Sequence, residues 1–310
     1  MKLPGPSPSL LIKLARNRIP FPLRAPTVPD GMEIPEPENR TGIDFDTEWA
    51  RRTPARLARR ALTYSIVGPG MKLIASPTVL GRDRLKNHEG ALVFAANHHS
   101  HADTPLLISS IPEPWRSELS VAAAADYFFA NRITGAVSAL ALNAIPLERQ
   151  RISRKSSDQA AGLLEDGWSL LIYPEGGRSP DGWAQAFRAG AAYLSLRTGT
   201  AVAPIHVEGT SRIMAKGKNW PRRARTTITF GMPMRPLPDE DSKAFGARIE
   251  AAVAALADES STDWWTARKR AHAGSSPSLT GPDASAWRRT WMLGETTTGR
   301  RRSRRNWPDI

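Results

Sequence analysis

The chain has 310 residues, enough to bury a full core as one large domain or two small ones. It contains no cysteine, which excludes disulfides and thiolate chemistry and agrees with a reducing compartment. Its 43 lysines and arginines stand against 30 acidic residues, and the net charge of +13 predicts an anionic partner such as acidic lipid, nucleic acid or a phosphorylated ligand.

The N-terminal part of the chain is rich in proline and then becomes basic. We predict an extended Pro-rich arm over residues 1–45 and a helix from Asp46 to Ile66. Basic side chains gather on one side of this helix, which suits either an anionic membrane surface or an ordinary solvated face. They are Arg52, Arg56, Arg59 and Arg60.

No stretch of the chain reaches the roughly 18 to 20 apolar residues that a membrane-spanning helix needs. The first residues also lack the apolar core of a secretory signal. We therefore expect a soluble or membrane-surface protein of the cytoplasm, without a signal peptide.

Apolar strands alternate with amphipathic helices from about residue 80 onward. The predicted strands are Ala91–Ala96, Leu119–Ala124, Ala144–Leu147, Ser169–Tyr173, Ala201–Val207 and Thr226–Phe230. The predicted helices are Asp103–Ser110, Phe128–Leu140, Ser156–Glu165, Ala186–Thr198 and Ser242–Leu256. This alternation predicts an α/β domain over residues 46–257, with a largely parallel central sheet flanked by helices. Residues 258–310 form a Trp/Arg-rich C-terminal extension whose basic end we expect to be disordered.

The first candidate site, residues 97–103, follows the predicted strand 91–96 and holds three of the six histidines. His98 lies five residues before Asp103, so a tight turn would let the carboxylate hold one ring nitrogen while the other faces a substrate. Ser100 and Asp103 have capping-box spacing, and Asp103 could itself be the N-cap; either way it lies at a helix N-terminus. We predict a general base and its orienting acid.

Two further candidate sites follow later strands. After strand 169–173, Gly176 and Gly177 let the backbone approach a bound group, Arg178 can bind a phosphate, and Glu175 can bond a hydroxyl or that arginine. After strand 144–147, Glu148 and Arg149 add an acid and a second candidate anion-binding arginine.

The order of these motifs resembles the sequence boxes of the glycerolipid acyltransferases, typified by lysophosphatidic acid acyltransferase. The matching segments are Asn97–Asp103 (NHxSxxD), Ile145–Arg149, Tyr173–Ser179 (FPEGTRS in the family) and Val202–Ile205. The likeness covers about residues 60–257. Glu148 stands where the family usually has aspartate, and Gly177 replaces a threonine, which leaves the head-group preference open.

The resemblance implies a transfer of an acyl group to the hydroxyl of lysophosphatidic acid or a related lysoglycerophospholipid. The donor would be acyl-CoA or acyl carrier protein, with no cofactor, and such an enzyme would work peripherally on the cytoplasmic side of the membrane. His98 would act as general base oriented by Asp103, and the other implied roles are substrate binding and support. Substrate binding would fall to Arg149, Glu175, Gly176, Gly177 and Arg178, with possible support from Asn97, Ser100 and Glu148.

Two alternatives use the same sequence differently. His99, His101 and Asp103 resemble the metal box of the metallo-β-lactamase fold, but Thr104 stands where that box needs histidine. A non-enzymatic lipid- or RNA-binding protein would use the basic charge, yet nothing resembles the aromatic signatures of RNA-binding sheets. We expect neither a metal nor a nucleic acid partner.

Overall fold

A seven-stranded sheet runs through the residues that the computed structural model describes, which are 42–148, 154–179, 181–214, 220–284 and 288–289. The strands are β1 Pro77–Leu80, β2 Leu92–Ala96, β3 Leu119–Ala124, β4 Ala144–Leu147, β5 Ser169–Ile172, β6 Ala201–Glu208 and β7 Thr226–Phe230. Their order is β1-β7-β6-β2-β5-β3-β4, and five of the six pairs are parallel, β6–β7 being antiparallel. The predicted α/β class with a largely parallel sheet is confirmed; β1 was not predicted.

Helices cover both faces of this sheet. Those of the described residues are α1 Thr53–Leu62, α2 Gly68–Ala75, α3 Asp103–Ser110, α4 Ala125–Phe128, α5 Arg132–Leu142, α6 Arg154–Glu165, α7 Gly190–Thr198, α8 Thr210–Ile213, α9 Ser242–Ser261 and α10 Trp264–His272. None of them is both long enough and apolar enough to cross a bilayer.

Strand β2 divides its side chains between two hydrophobic cores, because successive residues of a strand point to opposite faces. Leu92 and Phe94 pack in the core that α3 covers, whereas Val93 packs with Leu194 of α7 and Phe245 of α9. Every residue of β2 is buried, as expected for a central strand covered on both sides. The first candidate site therefore begins directly after a strand that is packed on both faces.

The predicted helix Asp46–Ile66 is wrong at both ends. A 3₁₀ turn occupies Glu48–Arg51, and α1 begins at Thr53 because Pro54 fits only in a first helical turn. The helical path then continues through a π-turn at Thr63–Val67 into α2.

The basic face predicted for that helix is also partly wrong. Arg59 points inward and donates to the carbonyls of Ala50, Ala139 and Leu140, and burial lowers its pKa to about 10. Arg56 lies 3.4 Å from the carboxylate of Glu118. Arg59 therefore has a structural role, and Arg56 pairs with an acid on the protein surface.

Two other predicted helices begin later than expected. The helix predicted at Phe128–Leu140 is split into α4 and α5, because the Asn131 side chain caps a new helix start by accepting from the backbone of Ile133 and Thr134. The helix predicted from Ala186 begins only at Gly190, since the backbone N–H groups of Phe187 and Arg188 bond outside the helix, to Glu250 and to the Pro174 carbonyl.

Of the predicted arm only residues 42–45 are described, and the basic end of the C-terminal extension, residues 290–310, lies outside the described residues. The predicted domain boundary at residue 257 falls inside α9, which continues to Ser261. Helix α10 packs on α9, and an Arg270–Asp258 ion pair of 2.7 Å joins the two helices.

Candidate active site

Two loops meet at one edge of the sheet because β2 and β5 are neighbouring parallel strands. The loop after β2 carries His98, and the loop after β5 carries Glu175 and Ser179. The His98 amide donates to Glu175 Oε1 at 2.7 Å, and the Ser179 amide donates to the His98 carbonyl at 2.9 Å. The second oxygen of Glu175 accepts from the Gln185 amide at 2.8 Å. Glu175 therefore joins the loops through its side chain and does not line the cavity described below.

His98 and Asp103 are brought together as the sequence predicts. His98 Nδ1 lies 2.9 Å from Asp103 Oδ2, and Asp103 is completely buried at the start of α3. The same oxygen accepts from the amides of His99 and Ser100. The helix dipole and these donors stabilise a carboxylate in this position. With Nδ1 occupied, the imidazole can present Nε2 to a substrate.

The capping box predicted for Ser100 forms only in part. Asp103 reaches back to the Ser100 amide, but Ser100 Oγ accepts from Ala102 and donates to the Met214 carbonyl. Asn97 likewise faces the protein interior, exchanging two hydrogen bonds with the backbone of Val207 on β6. Asn97 and Ser100 thus anchor the loop to the backbone of the protein interior.

Tyr173 supports the imidazole from one side, a role that the sequence did not reveal. Its ring stacks on His98 with centroids 4.0 Å apart and planes 19° apart. Its hydroxyl lies 3.0 Å from Thr104 Oγ1, and burial raises the pKa of Tyr173 well above its usual value. The neutral phenol and Asp103 together hold the His98 ring in one orientation. Its position directly after a buried strand was the available signal.

A cavity of about 580 Å³ opens beside His98. Part of its wall is apolar, and partly exposed Ala122 and Ala124 of β3 leave room for it. Other apolar wall residues are Ala160, Ile172, Ala191 and Leu194. The remaining wall includes charged groups, so one ligand could meet both apolar and ionic surroundings. These groups include Glu148, Arg178 and Arg188.

The glycine loop places two arginines on the cavity wall. Gly176 has φ +71°, and a Cβ there would lie 3.1 Å from the Arg188 guanidinium, so glycine allows the close approach. The carbonyls of Gly177 and Arg178 accept from the Gln185 side chain. Among the described residues, the Arg178 guanidinium forms no ion pair and can receive an anion.

The other predicted arginine, Arg149, lies outside the described residues, and its neighbour Glu148 is exposed at the cavity. Arg188 was missed as a site residue. Its sequence position, ten residues after Arg178 and just before a helix, gave no sign of the contact with Gly176.

The three side chains of the alternative metal site have separate partners. His99 Nδ1 lies 3.2 Å from Asn97 Nδ2, and the His101 ring stacks on Tyr127 at 5.8 Å. Burial lowers the pKa of both histidines, and Arg178 lowers that of His101 further. Within the ranges that the structure describes, no three His, Asp or Glu side chains are grouped to hold a metal ion.

Glu175 should make stability depend on pH. Burial raises its pKa to about 7 from an ordinary value of 4.5, against the effect of its two backbone hydrogen bonds. The folded chain therefore keeps a proton that the unfolded chain loses between these pH values. The free energy of unfolding should fall by about 3 kcal/mol from pH 4.5 to 7 and change little above that.

Urea unfolding across this pH range measures the effect. The fall should be strongly reduced in Glu175→Gln and preserved in Glu165→Gln, which removes an exposed carboxylate at the end of α6. An equal pH dependence in both variants would show that Glu175 is not the group responsible.

Comparisons with known proteins give matches to acyltransferases. Residues 76–208 match the family model described as Acyltransferase. The sequence is 30% identical over 139 residues to a chloroplastic 1-acyl-sn-glycerol-3-phosphate acyltransferase of Arabidopsis thaliana, covering 44% of this chain and 37% of that relative. It is 29% identical over 174 residues to a 1-acyl-sn-glycerol-3-phosphate acyltransferase of Chlamydomonas reinhardtii, covering 55% and 50%. This chain spans at most about half the length of these curated relatives.

The fold is similar to the crystal structure of the 1-acyl-sn-glycerophosphate acyltransferase of Thermotoga maritima. The TM-score is 0.51 at 19% sequence identity, over 67% of this chain and 84% of that one. This likeness supports the α/β architecture.

Proposed function

We propose that this chain is a glycerolipid acyltransferase that moves a fatty acyl group from a thioester to the hydroxyl of lysophosphatidic acid or a close relative. The observation that carries the proposal is the His98–Asp103 pair of 2.9 Å beside a cavity with apolar and cationic walls. The matched plant and algal relatives are named for a 1-acylglycerol phosphate acceptor.

The His98 imidazole removes the proton from the acceptor hydroxyl as the oxygen attacks the thioester carbonyl. The carbon–sulfur bond then breaks, and the leaving thiolate takes the proton back from the imidazolium. Asp103 stabilises the positive ring that exists between these transfers. The acyl group passes directly from sulfur to oxygen, so no covalent acyl-enzyme is required. Acyl-CoA or an acylated carrier protein supplies the thioester.

The cavity provides places for both parts of such a substrate. Its volume of about 580 Å³ lies in the range of small-molecule sites, and its alanine-rich wall suits an acyl chain. Arg178 and Arg188 would bind the acceptor phosphate through charge-assisted hydrogen bonds, with Arg149 as a further candidate. Holding both reactants together also supplies a proximity effect, which can reach roughly 7 to 11 kcal/mol.

Filling the apolar wall should shorten the preferred acyl chain. Ala122→Leu adds three carbons where the β3 side chain borders the cavity. Losing room for about three methylenes, each worth roughly 0.8 kcal/mol, should lower kcat/KM for long-chain donors by about 50-fold and spare short-chain donors. Rates with a series of acyl-CoA lengths check this. Ala251→Leu, on the exposed side of α9, is the matched control; equal effects on all lengths in Ala122→Leu would place the chain elsewhere.

A peripheral position on an anionic membrane fits the surface near this site. Ile133, Val137 and Leu140 are exposed on α5 at helical spacing, and Leu57 and Ile66 are exposed on the neighbouring α1 and π-turn. Such apolar side chains can enter a lipid surface, while the positive net charge attracts it.

The function is tested with labelled acyl-CoA and acyl carrier protein against a panel of lysophospholipids and glycerol phosphate, offered in anionic and in zwitterionic vesicles. We expect label in phosphatidic acid and faster transfer on anionic vesicles. Absence of transfer to every acceptor would reject the acyltransferase proposal. Equal rates on both vesicle types would reject the membrane part alone.

A further inference from the structure

A C-terminal segment outside the matched family region contacts the loop that follows Arg178. Its contact residues are Leu279, Gly281, Pro282 and Arg289, which we name the C-terminal clasp. The family model ends at residue 208, so this contact belongs to the chain's own extension.

Arg289 makes most of the polar contacts of the clasp. Its Nε lies 2.7 Å from Asp181 Oδ2, and its carbonyl accepts from the Trp183 indole at 3.0 Å. A second guanidinium nitrogen donates to the Pro282 carbonyl at 2.9 Å. One arginine thereby binds the loop at two positions and also binds the clasp itself.

The backbone of the clasp adds two further contacts. The Ala184 amide donates to the Leu279 carbonyl at 3.1 Å. Gly281 lies directly against the Trp183 indole, where a Cβ would come within 2.3 Å of ring atom Cδ2, and its φ is +73°. A glycine is therefore required at this position for the backbone to rest on the ring.

The clasped loop is connected to the candidate phosphate site by hydrogen bonds of Ser179 and Gln185. Ser179 Oγ accepts from the Gly182 amide at 2.7 Å, and the Ser179 amide donates to the His98 carbonyl. The Gln185 side chain donates to the carbonyls of Gly177 and Arg178. The clasped residues 181–184 thus lie between Ser179, which directly follows Arg178, and Gln185, whose side chain bonds to the Arg178 carbonyl.

We infer that the C-terminal clasp positions the Arg178 loop for the phosphate of the acceptor, with Arg289 and Asp181 as positioning residues. This inference rests on the proposed function. Loss of the Arg289–Asp181 pair loosens the loop and weakens acceptor binding, while His98, held by its own contacts with Asp103 and Tyr173, keeps its place.

Steady-state kinetics of the full chain test the inference. Arg289→Gln should raise the KM for lysophosphatidic acid by about tenfold, the effect of losing one charge-assisted hydrogen bond, with little change in kcat or in the KM for acyl-CoA. Arg289→Lys, which keeps the charge opposite Asp181, should give a smaller rise. Arg270→Gln breaks another arginine–aspartate ion pair of the same 2.7 Å length, Arg270–Asp258, away from the loop, and should leave all three constants unchanged. An unchanged acceptor KM in Arg289→Gln, or an equal rise in Arg270→Gln, overturns the inference.

Amide hydrogen exchange gives a readout that needs no activity. Residues 181–185 should exchange about tenfold faster in Arg289→Gln than in wild type, and no faster in Arg270→Gln. If residues 181–185 exchange at the wild-type rate in Arg289→Gln, the inference that the clasp positions this loop is overturned, even where the variant is active. A wild type inactive on every acceptor would reject the proposed function, while exchange would still decide whether the clasp holds the loop.

Discussion

Replacing His98 by alanine should lower kcat/KM for acyl transfer by about 10³- to 10⁴-fold, because the acceptor hydroxyl loses the base that takes its proton. The fold should survive this change. The backbone of His98 makes the bonds to Glu175 and Ser179, and these do not depend on the imidazole. The variant loses the ring stack on Tyr173 and one of the hydrogen bonds to Asp103.

Initial rates with labelled acyl-CoA, together with a thermal unfolding curve, separate chemistry from folding. His272→Ala, at the end of α10, is the matched control and should keep wild-type rates. If His98→Ala folds normally and retains more than about a tenth of the wild-type rate, His98 is not the general base.

The sequence predicted the site best where local pattern and sheet geometry agree. The buried runs 91–96 and 169–173 marked two strands, and each was followed by polar residues. Because neighbouring parallel strands end at the same edge, loops far apart in the chain became candidates for one site. The His98–Asp103 spacing needed only a local turn, and the observed pair fits that expectation.

The sequence could not predict contacts whose partners are distant and of no special type. Glu175 bonds to backbone amides of both loops, so its identity did not reveal its partners. Periodicity assigned Arg59 to an exposed basic face, but its guanidinium donates to carbonyls about 80 residues away and is therefore directed inward. The contact between Asp181 and Arg289 spans 108 residues and follows no motif.

Asp103→Asn should lower kcat by about 10²- to 10³-fold while leaving the fold and the His98 orientation nearly intact. The Asp103 oxygen that faces His98 also accepts from the amides of His99 and Ser100. An asparagine must turn its carbonyl oxygen toward these three donors, because its NH₂ group would be repelled by them. The geometry is then kept and only the negative charge is lost. The imidazolium formed during proton transfer then lacks the negative charge that stabilises it.

Asp103→Ala supplies the contrast for this prediction. It leaves three donors without their buried acceptor and should destabilise the protein by about 2 to 4 kcal/mol, besides lowering the rate. Urea unfolding should therefore separate the two variants, with Asp103→Asn closer to wild type. A wild-type kcat in a correctly folded Asp103→Asn would contradict the electrostatic role.

The double variant His98→Ala/Asp103→Asn tests whether the two residues act as one unit. Asp103 touches the reaction only through the imidazole, so removing its charge should cost nothing further once the imidazole is gone. We expect the rate of the double variant to equal that of His98→Ala within about threefold, whereas independent roles would multiply the two losses to about 10⁵ or more. A multiplied loss would assign Asp103 a direct contact with the substrate, which its complete burial behind His98 argues against.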